Sequence, residues 1–320
     1  MGRSKRIRLG RKGWQLVLWI LVITGPISYL WYRGQDRPTQ ETAEAIVLSA
    51  IDFLREWERT PIEVVWTLDA LADYIPLSRG QVINVAVFDQ DTRFVYGGMP
   101  RGNEGLVILE NLGYLVGYDE RKKNPGWVAY RLTKSESLEA PERPEGFRVD
   151  ERTRSRTKTN DYTGSGFDRG HLAPNYAIGL LYGKAAQEET FLMSNVVPQR
   201  PELNRGIWKD LEQREARRWG QRLESVWVIC GPIYEKGSGQ RLKGGEVVPD
   251  RFFKIVVDEI DGGIRALAFI FPQEVKEGSE MEAFLVSIDL IEMETGLDFF
   301  AILPDESEDA LEIVHNKRVW

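Results

Sequence analysis

The apolar positions change their period along the chain, and each change predicts a different kind of element. Residues 13–32, GWQLVLWILVITGPISYLWY, run twenty positions without a charge. That is the length a helix needs to cross a bilayer core. Trp14, Trp31 and Tyr32 sit near its ends, where aromatic side chains favour the interface, and Pro26 is tolerable in a spanning helix. A cleaved leader would carry a shorter apolar stretch and a small-x-small site, whereas ISYLWYRG is bulky, so the expectation is an uncleaved anchor. Residues 34–80 read as two helices: Pro38 and Thr39 open the first, Ile46, Ile51, Leu54 and Trp57 recur at near-helical spacing, and PIEVVWTLDALADYI follows.

From about residue 82 the period shortens to that of strands. VINVAVF, FVYGG, YLVGYDE and GWVAYRLT are short apolar or alternating runs divided by Gly, Asn and Asp; VWVICGPIY, FFKIVVDEI and IRALAFIFP follow later. Between these sets, ELNRGIWKDLEQREARRWG predicts one amphipathic helix closed by Gly220, and MEAFLVSIDLIEMETGL predicts a late helix. Strands and helices mix without βαβ regularity, which indicates an α+β fold.

Charge sharpens this picture. The chain of 320 residues has a formal net charge of −7, yet residues 1–12 carry six basic side chains and no acid, leaving −13 for the rest. The basic end predicts a cytoplasmic N-terminus, with everything after Arg33 across the membrane, in the periplasm if the host is Gram-negative. The single cysteine, Cys230, excludes an internal disulfide and a cysteine zinc site, and reads as a core strand residue.

The chain holds two histidines. One, His171, lies in FDRGHLAPN with Asp168, Arg169 and Gly170; the other, His315, reads as an exposed bystander in the tail. An imidazole is the side chain that exchanges a proton near neutral pH, so His171 is the candidate base. Downstream, SNVVPQRPELN contains Asn195 and Asn204, and LNRGIWKDLE ends in Glu212. Eight residues separate Asn204 from Glu212, slightly more than two helical turns, so both should project from one face of the expected helix.

Together, D-R-G-H at 168–171, S-N-x-x-P-Q at 194–199 and N-x-x-x-W-x-x-L-E at 204–212 resemble the DNA/RNA non-specific endonucleases of the ββα-metal (His-Me finger) class. The likeness covers about residues 98–305. It implies a central antiparallel sheet, His171 as general base, Asn204 as direct ligand of one Mg²⁺ (or substituting Mn²⁺), and Glu212 acting near the metal through water. It also implies Arg169 facing phosphate, Asn195 supporting the site and a second upstream arginine, for which Arg143 is the candidate and Arg148 the alternative. Asp168 reads as positioning the loop. DNA and RNA are the implied substrates, with 5′-phosphate ends, and related nucleases often pair, which leaves a homodimer among the implied partners.

The chemistry of these residue types agrees. Phosphodiester hydrolysis needs an activated water, donors for the phosphate charge and relief for the leaving oxygen. Imidazole, arginine and a hard dication with few protein ligands supply these. The expected organisation is therefore a basic tail at 1–12, an anchor at 13–32, a helical appendage at 33–97, a nuclease domain at 98–305 and a tail at 306–320. The acidic body pulls the other way, since nucleic-acid binders usually show a basic footprint. Local clusters answer this: Arg148, Arg152, Arg154, Arg156 and Lys158 precede the motif, and Arg200, Arg205, Lys209, Arg214, Arg217 and Arg218 follow it. A catalytically silent binding module, or an enzyme acting on another envelope phosphodiester, remain the alternatives.

Overall fold

The computed structural model describes residues 32–56, 80–84 and 93–320, apart from breaks at 103, 136–138, 236, 238, 261–262 and 277, together with the isolated positions 68, 71 and 75. The expected anchor lies outside these residues except for Tyr32, as does most of the second expected helix. No helix among the described residues is long and apolar enough to cross a membrane.

The chain divides into two compact units, one of which runs from Gly80 to Val319. In the other, helix α1 (Arg37–Glu56) begins where the Asp36 carboxylate accepts a hydrogen bond from the Thr39 amide, 3.3 Å away. Glu44, Leu48 and Ile51 form its buried face, at helical spacing.

The 80–319 unit is built on an antiparallel sheet. Its strands are β1 (Ile83–Asn84), β2 (Val107–Glu110), β3 (Leu115–Asp119), β4 (Asn124–Thr133), β7 (Ser225–Ile233), β8 (Arg251–Ile260), β9 (Gly263–Pro272) and β10 (Leu285–Val286). They lie in the order β1-β9-β8-β7-β4-β3-β2, with β10 also on β9. The expectation of an α+β fold with a central antiparallel sheet is met. Every residue of β7 is buried, which explains why VWVICGPIY reads as a continuous apolar run.

Alternation along β8 separates the two faces. Phe253, Ile255 and Val257 join Trp127, Trp227 and Ala268 in one core, closed by helices α5 (Ile288–Thr295) and α6 (Asp305–Glu312) through Ile288, Ile291 and Leu311. Phe252 and Lys254 point the other way, towards helix α4 (Ile207–Arg214), where the Trp208 ring meets Phe252 and Phe271 edge-on at 5.9 and 6.0 Å.

Three expectations are corrected here. The compact unit starts before residue 98, because β1 pairs with β9 and Tyr96 sits in the core. Residues 306–320 are not a tail: α6 buries Leu311 and Glu312. The late helix 281–297 is only half helical. Met281–Phe284 is a 3-10 turn and Leu285–Val286 is a strand; then the Ser287 hydroxyl accepts from the Leu290 amide and starts α5, which Gly296 ends in a left-handed conformation.

Candidate active site

Two strands stand apart from the large sheet. β5 (Asp168–His171) and β6 (Val196–Gln199) pair antiparallel, Asp168 opposite Gln199 and His171 opposite Val196. Gly170 is dictated by this pairing, since a β-carbon there would lie 2.0 Å from the Gln199 side-chain oxygen. Alternation sends Asp168 to one side of β5 and Arg169 and His171 to the other.

On the His171 side, the imidazole packs between Phe147, ring centroid at 5.0 Å, and Phe191 at 4.9 Å. Nε2 is enclosed without a hydrogen-bond partner, while the residue as a whole is partly exposed. Burial, helped by the positive charge of Arg143, pulls the imidazole down to about 3, so the ring is neutral across the physiological range. Arg143 is exposed and lies over the Phe191 ring at 5.2 Å. Arg148, the alternative, turns its guanidinium to the Glu188 carbonyl at 3.0 Å. Arg169 stands 5.9 Å from Phe147 and 5.8 Å from Tyr162, and donates to the Thr159 carbonyl through Nε and Nη2 at 3.2 and 2.7 Å. Both Arg143 and Arg169 therefore neighbour the aromatic cage of His171.

Asn195, fully buried, holds the segment that follows His171. Its Oδ1 accepts from the Ala173 amide at 2.9 Å, and its Nδ2 donates to the carbonyls of Ala173 and Thr190, both at 3.0 Å. With both ends of the amide bonded to backbone and the residue wholly buried, this side chain braces the segment that follows His171 and does not face solvent. Cys230, fully buried on β7, reaches the same segment, its Sγ 3.5 Å from the Leu172 carbonyl.

On the other side of β5, the Asp168 carboxylate accepts from Asn204 Nδ2 at 3.0 Å and from Arg205 Nε and Nη2 at 2.8 and 2.7 Å. Burial pushes this carboxyl up, but the Arg205 and Asn204 hydrogen bonds outweigh it and hold it below the usual carboxylate range. Asp168 thereby ties helix α3 (Pro201–Arg205) to β5 and fixes the Asn204 amide with its oxygen as the uncommitted end.

The single long helix expected over 202–220 is broken. Gly206, at φ −98° and ψ −120°, separates α3 from α4, and its own position tolerates no side chain, a β-carbon falling 2.5 Å from the Glu202 carbonyl. A π-helical turn at Glu215–Trp219 follows. Asn204 and Glu212 therefore belong to two helices, and the two-turn argument for a shared face does not hold. Glu212, partly exposed, accepts from Trp208 Nε1 at 3.0 Å.

Beneath Glu212 lies a polar cluster that the sequence reading missed. Lys254 and Glu215, both wholly inaccessible, pair at 2.7 Å; Tyr130 donates to Glu215 at 2.6 Å, and the Lys254 ammonium sits 4.3 Å from the Trp208 ring centre. Burial raises the Glu212 carboxyl to about 7, Glu215 adds to the rise and Lys254 opposes it. A lysine inside a strand that is apolar on both faces was the available signal, because such a charge must find a buried carboxylate.

The donor set suits a hard dication. An amide oxygen held by Asp168 and a partly exposed carboxylate are oxygen ligands of the kind Mg²⁺ takes while keeping most of its waters.

Residues 92–306 match the family described as DNA/RNA non-specific endonuclease. The chain is 30% identical to a nuclease of Serratia marcescens over 225 residues, covering 67% of this chain and 82% of that one. It is 34% identical to mitochondrial endonuclease G of Homo sapiens over 214 residues, covering 62% and 71%. Among solved structures it resembles the one described as the EndoG/EndoGI complex, with a TM-score of 0.56 and 26% identity over 66% of this chain and 90% of that one. The chain belongs to the DNA/RNA non-specific endonuclease family and is a hydrolase that acts on nucleic acids.

Proposed function

We propose that this chain is a Mg²⁺-dependent endonuclease that cuts DNA and RNA with little sequence preference and leaves 5′-phosphate ends. The observation that supports this reading most is the neutral His171 ring, flanked by Arg143 and Arg169, on the same strand as the Asp168 that holds the amide of Asn204.

His171 Nδ1 takes a proton from the attacking water while Nε2 keeps its own. Arg143 lowers the proton affinity of the free ring. A phosphodiester paired with Arg143 cancels that field, so the base strengthens when substrate arrives. Arg143 and Arg169 then offer donors to the non-bridging oxygens. Asn204 and, through water, Glu212 hold the metal, which supplies Lewis-acid stabilisation of the developing charge when bound. Asn195 and Asp168 keep the two halves of the site in place.

The same reading keeps the N-terminal segment as an uncleaved membrane anchor and places the catalytic domain outside the cytoplasm, away from the cell's own nucleic acid. The uncharged run 13–32 behind six basic residues supports this.

The test is cleavage of supercoiled plasmid and of RNA by the purified full chain with Mg²⁺ or EDTA, beside His171→Ala. Cutting that needs the metal, falls by at least about 10²-fold in the variant and yields ends that accept label only after phosphatase treatment supports the proposal. A folded chain that binds plasmid without cutting it, across metals and salt, overturns it in favour of a binding module.

A further inference from the structure

On the sheet face opposite α4, five carboxylates converge where α5 meets α6. Asp289, Glu292 and Glu312 bring one oxygen each within 4.8 Å of one another; Asp298, Glu308 and Glu312 do the same. Glu312 belongs to both groups. It is 6% exposed, and its Oε1 is buried without a hydrogen-bond partner. A desolvated carboxylate oxygen with no donor is costly, and four more acids around it compound the cost, which an entering cation relieves more fully than one proton shared between two carboxyls.

The two sides of Glu312 differ. Arg101 stands 3.8 Å from Asp298 and is anchored on the Ala301 carbonyl, so the Asp298 side already has a cation. On the other side, Glu292 Oε1 accepts from the Phe299 amide at 2.7 Å, the Glu292 and Glu312 carboxyls share a hydrogen bond that leaves Glu312 Oε1 without a partner, and Asp289 is exposed. The oxygens are all hard donors. Carboxylate oxygens of this kind are the ligands calcium takes from protein, in a coordination sphere that tolerates irregular geometry.

We propose that Asp289, Glu292 and Glu312 form a second divalent-cation site of calcium type, remote from His171, that ties α5 to α6 and has a structural rather than catalytic use. Asp289 admits the ion from solvent, Glu312 supplies the buried ligand, and Glu292 closes the third side while remaining held by the Phe299 amide. The proposal stands whether or not the nuclease reading does.

The test is thermal unfolding of the full chain carrying Asn204→Ala, which weakens the Mg²⁺ site proposed above, titrated with CaCl₂. The expected result is a saturable rise in Tm of about 5 °C or more once calcium exceeds its Kd a hundredfold, abolished by Glu312→Gln. Asp289→Asn, an exposed position, gives the same loss of response without threatening the core and serves if Glu312→Gln does not fold. A Tm unmoved by about 10 mM calcium, a level that saturates most extracellular modules, overturns the proposal, as does a rise that survives both substitutions. A Glu312→Gln chain that is more stable than its parent at every calcium level, with no calcium response in either, identifies the cluster as carboxyls sharing a proton instead.

Discussion

The buried Lys254–Glu215 pair yields the sharpest quantitative expectation. Both side chains are wholly inaccessible and meet at 2.7 Å, with Tyr130 donating to the second Glu215 oxygen. Lys254→Met removes the ammonium and strands a carboxylate between a phenol and an apolar sheet; Glu215→Gln strands the ammonium against Trp208. Removing one member of a buried pair costs about 3–5 kcal/mol, because the remaining charge has neither water nor partner. For a unit of this size that is a fall in Tm of about 6–20 °C. The double variant removes both charges together and should return to within about 1 kcal/mol of the parent, since a buried pair contributes little net stability over a neutral replacement. Urea unfolding followed by tryptophan fluorescence, run on the parent, both single variants and the double, measures the coupling directly. A second readout comes from Glu212, which Lys254 holds down and Glu215 pushes up. Lys254→Met should move the Glu212 titration upward, and Glu215→Gln should move it downward. Singles that cost less than about 1 kcal/mol, or a double no better than its worse single, would show that the pair is solvated or unformed and refute the reasoning.

Other expectations concern the site itself. His171 has a native pKa of about 3 against about 6.5 when unfolded, so the unfolded chain takes up a proton that the native chain refuses. Stability should fall as pH drops through that window, by about 2 kcal/mol between pH 7 and pH 5, and His171→Gln should lose that part of the slope; an unchanged slope refutes the burial of the ring. Asp168→Ala should cost about 1–2 kcal/mol, since its Arg205 partner is largely exposed, but lower activity about 10²-fold by releasing Asn204; equal activity would remove Asp168 from the site. Its depressed carboxyl contributes stability above the unfolded pKa that is lost as pH falls through the folded one. Alkaline carbonate should leave the full chain in the membrane pellet and release a chain lacking residues 1–32; release of both would refute the anchor.

Much of this was legible because local chemistry and fold agree. The strands at 124–133, 225–233 and 251–260 were readable from their apolar runs, and the D-R-G-H segment from its rarity in a histidine-poor chain. What failed was phase. Gly206 falls inside the expected amphipathic helix, yet it splits that helix, and the π turn at Glu215 adds a second shift of register. Periodicity reports which face is apolar but not where the ladder is interrupted. The Phe147–Phe191 cage was invisible for a different reason: the two rings lie 24 residues before and 20 after His171, and only the fold of the intervening chain brings them onto one imidazole.

The arginines near the site carry a consequence for binding in salt. Eleven basic residues flank the motif in the sequence, and if each neutralised one phosphate of duplex DNA the logarithm of affinity would fall with the logarithm of salt at a slope of about −10. Four of them, Arg152, Arg156, Arg200 and Arg205, already face acids of this chain. Those four have counter-charges of their own and displace no condensed ions from the polymer. At most seven remain, for a slope no steeper than about −6. The enzyme would then hold nucleic acid less tightly than its local composition suggests, but keep working at ionic strengths that release a protein whose basic side chains all engage phosphate.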